Sequence, residues 1–332
     1  MTTPVLLITF NRPTHTRRVL EAILAAHPQD LYVFQDGARE GNDADITKCA
    51  EVRQVVEDMV TNHNNALPFR EGAGVGLHRN YSPVNLGCGP GPMTGITWFF
   101  DNVEQGIIME DDCLPHPDFF PYCEELLNLY KGTEVKFINS TLYDDRWTKA
   151  LNQQSIINKQ QSGQKPSYGF SHYMVTGAWA SWREVWQGFD LDLKDMNVLK
   201  FAGHVYRLTH NMVEAEWWAY QVAAIKADCR KKSYWDYQMQ IHLFRQKAMT
   251  IHPMKNLISN IGFDAEGTHT KENDGRGEKA VNSILPLVHP DTLSVDLVRD
   301  ERCWAKKQSK GLIVDILFEI YHLFVWKKKS IK

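Results

Sequence analysis

Several features that would settle the class of this chain at once are missing from it. Its six cysteines (49, 88, 113, 123, 229 and 303) show no CxxC spacing and no histidine-partner pattern. That argues against zinc and against a disulfide framework, and suits reduced thiols in a cytosol. The net charge is only −3, which leaves no electrostatic case for nucleic acid as a partner. No apolar run reaches the roughly 20 residues of a membrane-spanning helix. Pro4 to Phe10 is apolar with no basic stretch before it, so it reads as a first strand and not as a signal peptide. No internal repeat is evident. What remains is 332 residues, 43% apolar and 23% charged, which is ordinary globular chemistry with length for one large α/β domain or two smaller ones. The ten tryptophans fall mostly after residue 140; aromatic rings often line sugar sites, but core packing accounts for most such residues.

The first third alternates strand and helix. Residues 4–10 and 31–34 read as strands. A helix capped at Thr14 or Thr16 is expected to run to Ala26, and another over 46–62 from the spacing of Val52, Val55, Val56 and Met59. A Gly-rich loop over 71–91 precedes a helix at 93–105 and a strand at 106–109. This βαβα order implies an α/β fold with a doubly wound, mostly parallel sheet. Further on, 119–130 reads as a helix, 135–138 as a strand, 190–232 as helical, and 144–168 and 264–280 as polar loops, the first a candidate lid.

The most informative stretch is Ile107-Ile108-Met109-Glu110-Asp111-Asp112. An apolar strand ends in three adjacent acids, which raise one another's pKa unless a cation shares the site. Mg²⁺ or Mn²⁺ takes oxygen ligands, Mg²⁺ usually one or two carboxylates plus substrate phosphates. Open α/β sheets bind ligands beyond the carboxyl ends of their strands. A metal–phosphate site is therefore one reading; a solvated acidic turn before Pro115 is the other. Thr9-Phe10-Asn11-Arg12 and Gln35-Asp36-Gly37 end the first two strands and should share that edge. There Arg12 suits a phosphate and Asp36 a base or ribose, although Asp-Gly is also a common turn. In Trp235-Asp236-Tyr237-Gln238 a carboxylate stands between large aromatics, as a general base or as a helix N-cap. Residues 256–263 and His269 form a further polar segment.

At the C-terminus, residues 312–326 are almost wholly apolar, with Asp315, Glu319 and His322 on one helical face and Lys327-Lys328-Lys329 following. A helix over 311–329 is expected to lie in an anionic membrane interface; a docked core helix or a dimer contact is the plainer reading.

Taken in order, Asn11-Arg12, Gln35-Asp36, Asn85-Leu86-Gly87-Cys88, Ile108 to Asp112, Pro117-Asp118-Phe119-Phe120, Gly177 to Trp182, Trp235 to Gln238, and Asn256 through Gly262 to His269 resemble bacterial glycosyltransferases of the nucleotide-diphospho-sugar transferase superfamily, with the GT-A fold. A more distant resemblance is to the eukaryotic N-acetylglucosaminyltransferase that starts complex N-glycans. The likeness covers roughly residues 4–270. It implies a GT-A domain over 1–285, with a nucleotide-binding part (1–115) and an acceptor-side part (116–285), followed by an extension (286–332). It implies Asp112 as ligand of Mn²⁺ or Mg²⁺, with His269 near the phosphates as a second candidate. It also implies donor contacts from Thr9, Asn11, Arg12, Gln35, Asp36, Asn85, Gly87, Glu110, Asp111 and Trp179. Asp236 is implied as catalytic base, although the relatives place two acids after the tryptophan and this chain has Tyr237 second. The activity implied is metal-dependent, inverting sugar transfer from a nucleotide-sugar donor, UDP-linked by preference, to a glycan or polyprenyl-linked oligosaccharide. The enzyme would be peripheral on the inner face of the cell membrane and serve surface polysaccharide assembly. Two other readings stand beside it: a sugar nucleotidyltransferase, which would favour a Gly-rich loop where Asn11-Arg12-Pro13-Thr14 stands, and a non-catalytic membrane-associated nucleotide-binding subunit.

Overall fold

The computed structural model describes residues 1–67, 74–141, 165–227, 235–262 and 282–308. Eight strands form one sheet in the order β3-β2-β1-β4-β8-β6-β9-β7: β1 (Val5–Thr9), β2 (Asp30–Gln35), β3 (Gly76–Tyr81), β4 (Gln105–Glu110), β6 (Val135–Asn139), β7 (Tyr168–Ser171), β8 (Ala178–Trp182) and β9 (Met249–Pro253). The β3-β2-β1-β4 half is wholly parallel. In the other half β8 runs antiparallel to β4 and β6, β6 and β9 are parallel, and β7 closes the sheet antiparallel to β9. The result is a mixed, mostly parallel α/β sheet flanked by helices, as expected.

The parallel half follows directly from its residues. β1 is buried at every position, the continuous apolar run demanded of a strand covered on both faces. Helix α1 (Pro13–Ala25) starts with proline at its first turn and buries Thr16, Val19, Leu20, Ile23 and Leu24, the stripe of an amphipathic helix. Neither Thr14 nor Thr16 caps it: the chain enters at Arg12, and the Thr16 hydroxyl donates to the Arg12 carbonyl at 2.9 Å. Helix α2 (Asp43–Ala66) is capped by the Asn42 side chain, which accepts from Asp45 N. Helix α3 (Pro90–Asn102) lies so close to β2 that a Cβ on Gly95 would fall 2.7 Å from the Phe34 ring.

Two expectations are corrected. The stretch 71–91 was expected to be loop, but it contains edge strand β3; its His78-Arg79-Asn80 centre is exposed or half-buried, with no apolar alternation to reveal it. The described part of the stretch 190–232 contains two helices, α6 (Val198–Thr209) and α7 (Met212–Lys226), separated at His210, whose left-handed φ of 55° breaks the helix.

The remaining elements complete two cores. Strand β5 (Cys113–Pro115) pairs antiparallel with β10 (Ile258–Asn260). Helices α4 (Phe119–Leu129) and α5 (Arg183–Trp186) pack on the main sheet. Helix α8 (Asp236–Arg245) joins α6 and α7 in a second apolar cluster built on Phe201, Val205, Trp218, Val222, Ile241 and Phe244. Residues 286–308, the described part of the expected extension, run back along this body: Ser167 and Val288 exchange two hydrogen bonds, Val295 bridges to Phe170, and helix α9 (Leu297–Gln308) buries Trp304 in the second cluster. Most of the expected loop 144–168 and the expected tail helix 311–329 lie outside the described residues. Among the described residues no helix is long and apolar enough to cross a membrane.

Candidate functional site

Because β1, β2, β3 and β4 are parallel, their carboxyl ends fall on one edge. Thr9 to Arg12, Gln35 to Gly37, Ser82 to Gly87 and Glu110 to Asp112 meet there. Arg12 is the cation that shares the acidic strand end. Its Nη2 lies 2.7 Å from Asp111 Oδ1 and its Nη1 donates to Asp112 Oδ2 at 3.1 Å. The Asp111 side chain is 3% exposed and Asp112's is 14% exposed. Asp111 also accepts from the Phe10 amide at 3.3 Å, tying β1's end to β4's.

The acids do not share this relief equally. Burial, then the charges of Asp112 and Asp111, push Glu110 up to about 8, with Asp236 adding to the rise. Burial also lifts Asp111, to about 6, against the pull of Arg12. Burial and the neighbouring carboxylates thus push Glu110 toward its protonated form, while the Asp112 side chain keeps partial exposure. The last strand pair closes the site from the other end of the chain. The Ile261 amide donates to the Asp112 carbonyl, His15 Nε2 bonds the Ile261 carbonyl, and a Cβ on Gly262 would fall 2.5 Å from Asp112 Oδ2.

Asp36 is occupied by its own chain. Its carboxylate accepts from the amides of Gly37, Leu86 and Gly87 and from Asn85 Nδ2, at 2.8–3.1 Å. Burial raises its pKa while those amides oppose the rise. Asp36, Asn85 and Gly87, three expected donor contacts, thus form one latch that fixes the loop before α3. Gln35 is fully buried; its amide donates to the Phe10 and Cys49 carbonyls and accepts from Arg53. Thr9 is buried and donates to the Phe34 carbonyl. Trp179 is 1% exposed and stacked on Phe137 at 4.6 Å. Gln35, Thr9 and Trp179, expected as donor contacts, are buried in this conformation and brace the edge from beneath.

Asn11 donates to Asp45 Oδ1 at 2.7 Å, and Arg39 holds both oxygens of the same carboxylate. The Arg39 hydrogen bond is the main reason that Asp45 is held down at about 2. The sequence reading missed this Asn11-Asp45-Arg39 cluster; the signal available was acids in the first turn of a capped helix. Asp236 opens α8 in its first turn and is not the N-cap, which is Trp235. Trp235 packs against Trp179 and Trp186 with ring centroids at 6.1 and 6.4 Å, so the core holds the start of α8 toward Glu110. His269 lies outside the described residues.

A divalent ion suits this edge in one way only. Among the described residues no three His, Cys, Asp or Glu side chains converge as a metal cage. Asp112 nonetheless offers a hard, partly exposed oxygen donor, and one Arg12 charge does not cancel the acids around it. That donor set fits the Mg²⁺ mode of one or two carboxylates completed by substrate phosphates.

No family model and no curated protein matches this chain. Solved structures overlap it at low similarity. One is a galactosyltransferase, LgtC, complexed with donor and acceptor sugar analogues (14% identity, TM-score 0.33, 73% of this chain and 70% of that one). Another is mouse xyloside xylosyltransferase 1 in its apo form (9% identity, TM-score 0.34, 74% and 82%). A third is a UDP-glucose pyrophosphorylase complexed with UDP-glucose (8% identity, TM-score 0.38, 80% and 95%). These overlaps are too low to carry an argument about activity.

Proposed function

We propose that the chain is a GT-A-type glycosyltransferase that moves a sugar, with inversion, from a nucleotide-diphosphate donor, UDP-linked by preference, to a hydroxyl of a glycan or lipid-linked glycan. The observation that carries this reading is the acidic end of β4 bridged by Arg12, set on the edge where four parallel strands end. Mn²⁺ or Mg²⁺, held by Asp112 and the donor's phosphates, would supply charge neutralisation on the departing nucleoside diphosphate.

The chain's own residues divide the rest of the work. Arg12 holds Asp111 and Asp112 in fixed orientation, so that no reorganisation is needed when charge develops. The Asp36 latch shapes the loop from Asn85 to Gly87 against which a nucleotide would lie. Glu110, whose carboxyl burial pushes toward the protonated form, would hydrogen-bond a sugar or ribose hydroxyl. Asp236, in the first turn of α8 where a helix favours negative charge, takes the proton of the attacking hydroxyl.

Calorimetric titration of nucleoside diphosphates and nucleotide sugars, with Mn²⁺ and with EDTA, tests the reading. Metal-dependent binding of one nucleotide class supports it and names the donor. Absence of binding by any nucleotide overturns it.

A further inference from the structure

Helix α6 is apolar on two sides. Phe201 and Val205 face the second core cluster, as a surface helix requires. Leu199, Gly203 and Tyr206 recur at intervals of four and three on another face, where Leu199 is 83% and Tyr206 42% exposed. A Cβ on Gly203 would meet open space. Just past the turn at His210, Met212 and Val213 are exposed as well, at 56% and 49%. Lys200 and Arg207, each one position round from Leu199 and Tyr206, are also exposed.

From Met196 to Val213 the chain contains no acidic residue, while it carries Lys200, His204, Arg207 and His210. The acids that flank this stretch are Asp195 and Glu214, and Glu214 is buried. An exposed apolar stripe with Lys200 and Arg207 beside it, and with the exposed acids Asp195 and Glu216 only at its two ends, is the composition of a surface that enters the interface of an anionic bilayer.

Two placements favour that occupant. Helix α9 packs against α6 through Trp304, and residues 309–332 follow it in the sequence. Their sequence is apolar over 312–326 and ends in Lys327-Lys328-Lys329. In addition α7 packs Trp217 and Trp218 against Tyr237, at 6.0 and 6.1 Å, beside Asp236.

We propose that the α6–α7 hairpin, through Leu199, Tyr206, Met212 and Val213 with Lys200 and Arg207, docks on an anionic membrane surface. The start of α8 is thereby presented to that surface. The docking stands without the transfer reading; that it brings Asp236 to a membrane-borne acceptor rests on it.

The test is co-sedimentation of the full chain with phosphatidylcholine vesicles, with and without phosphatidylglycerol. Leu199→Ser/Tyr206→Ser and Lys200→Ser/Arg207→Ser are compared with the parent chain and with Lys327→Ser/Lys328→Ser/Lys329→Ser. All substituted side chains of the hairpin are exposed, and thermal melts check that the variants fold. Binding should require phosphatidylglycerol and fall about fivefold for each hairpin charge removed, and it should fall also for the apolar pair. Unchanged binding in both hairpin variants, with loss only in the tail variant, overturns the proposal. So does a dimer by analytical ultracentrifugation that Leu199→Ser/Tyr206→Ser dissociates without affecting vesicle binding. Nucleotide titration on the same variants separates the two readings: vesicle binding that persists in a chain binding no nucleotide leaves the docking standing and removes the transfer reading alone.

Discussion

The backbone of Gly262 lies directly on the carboxylate of Asp112, where a β-carbon would come within 2.5 Å of Oδ2. The same β-carbon would stand 2.9 Å from Arg12 Nη1. Residues 250 positions apart are therefore packed as one unit, and any side chain at 262 would require the Asp112–Arg12 pair or the chain itself to shift. Gly262→Ala should displace the ion pair or the chain after β10. The expected cost is about 2 kcal/mol of stability by urea unfolding, with weakened nucleotide binding. A variant with parental stability and affinity would show that the close approach is not required.

Arg12 neutralises an Asp111 carboxylate that is 3% exposed. Removing one partner of such a buried pair leaves an uncompensated charge, so Arg12→Met should destabilise by about 3 kcal/mol. Arg12→Met/Asp111→Asn should recover most of that loss. If the double variant is no more stable than the single one, the loss lies in packing of the guanidinium and not in charge.

Asp112→Ala should leave the fold intact, because its side chain is 14% exposed and its backbone, not its carboxylate, bonds Ile261. Calorimetry should show the Mn²⁺-dependent part of nucleotide affinity reduced by about 100-fold or more. Parental affinity in the presence of Mn²⁺ would remove Asp112 as a ligand.

Asp36→Ala deprives three amides and the Asn85 side chain of their acceptor. The loss should be about 2 kcal/mol, and hydrogen exchange at the Leu86 and Gly87 amides should accelerate. Exchange unchanged at both amides would mean that the loop holds without its latch.

Glu214, buried between the Tyr173 hydroxyl and the second core, is pushed by burial from 4.5 up to about 7, with Asp300 and Glu301 adding to the rise. A carboxyl whose folded pKa is raised binds its proton more tightly in the native state, so its contribution to stability is present below 4.5 and lost as pH rises through about 7. Glu214→Gln, which cannot titrate, should abolish that part of the slope. Urea midpoints across the range for both proteins make the comparison; parallel profiles would place the titration elsewhere.

The sequence by itself determined three of the four strands of the parallel half, β1, β2 and β4, and the helix α1. Runs such as Val5 to Ile8 and Ile107 to Met109 are apolar at successive positions, as a strand covered on both faces requires. The stripe Thr16, Val19, Leu20, Ile23 is a helical period that can be read without coordinates. It also placed Arg12, Asp36 and Glu110 to Asp112 on a common edge, because parallel strands end on one side. Edge strand β3 escaped notice because an exposed strand of His, Arg and Asn carries no hydrophobic alternation, and the break at His210 because a single left-handed residue leaves no periodic trace.

Tertiary structure alone decided what each edge residue does. Asp36 and Asp112 are both acids at strand ends, yet one accepts four hydrogen bonds that latch its own loop and the other pairs with Arg12 and keeps a side chain 14% exposed. Trp179 and Gln35 sit in segments that suit ligand contact by position and are buried by packing. The pairing of Arg12 with Asp111 and Asp112, and the approach of Gly262, join segments far apart in the chain. Sequence spacing reports neighbours along one element; which distant groups share a desolvated site depends on how the elements pack, and that packing sets their charge, their partners and their reach to solvent.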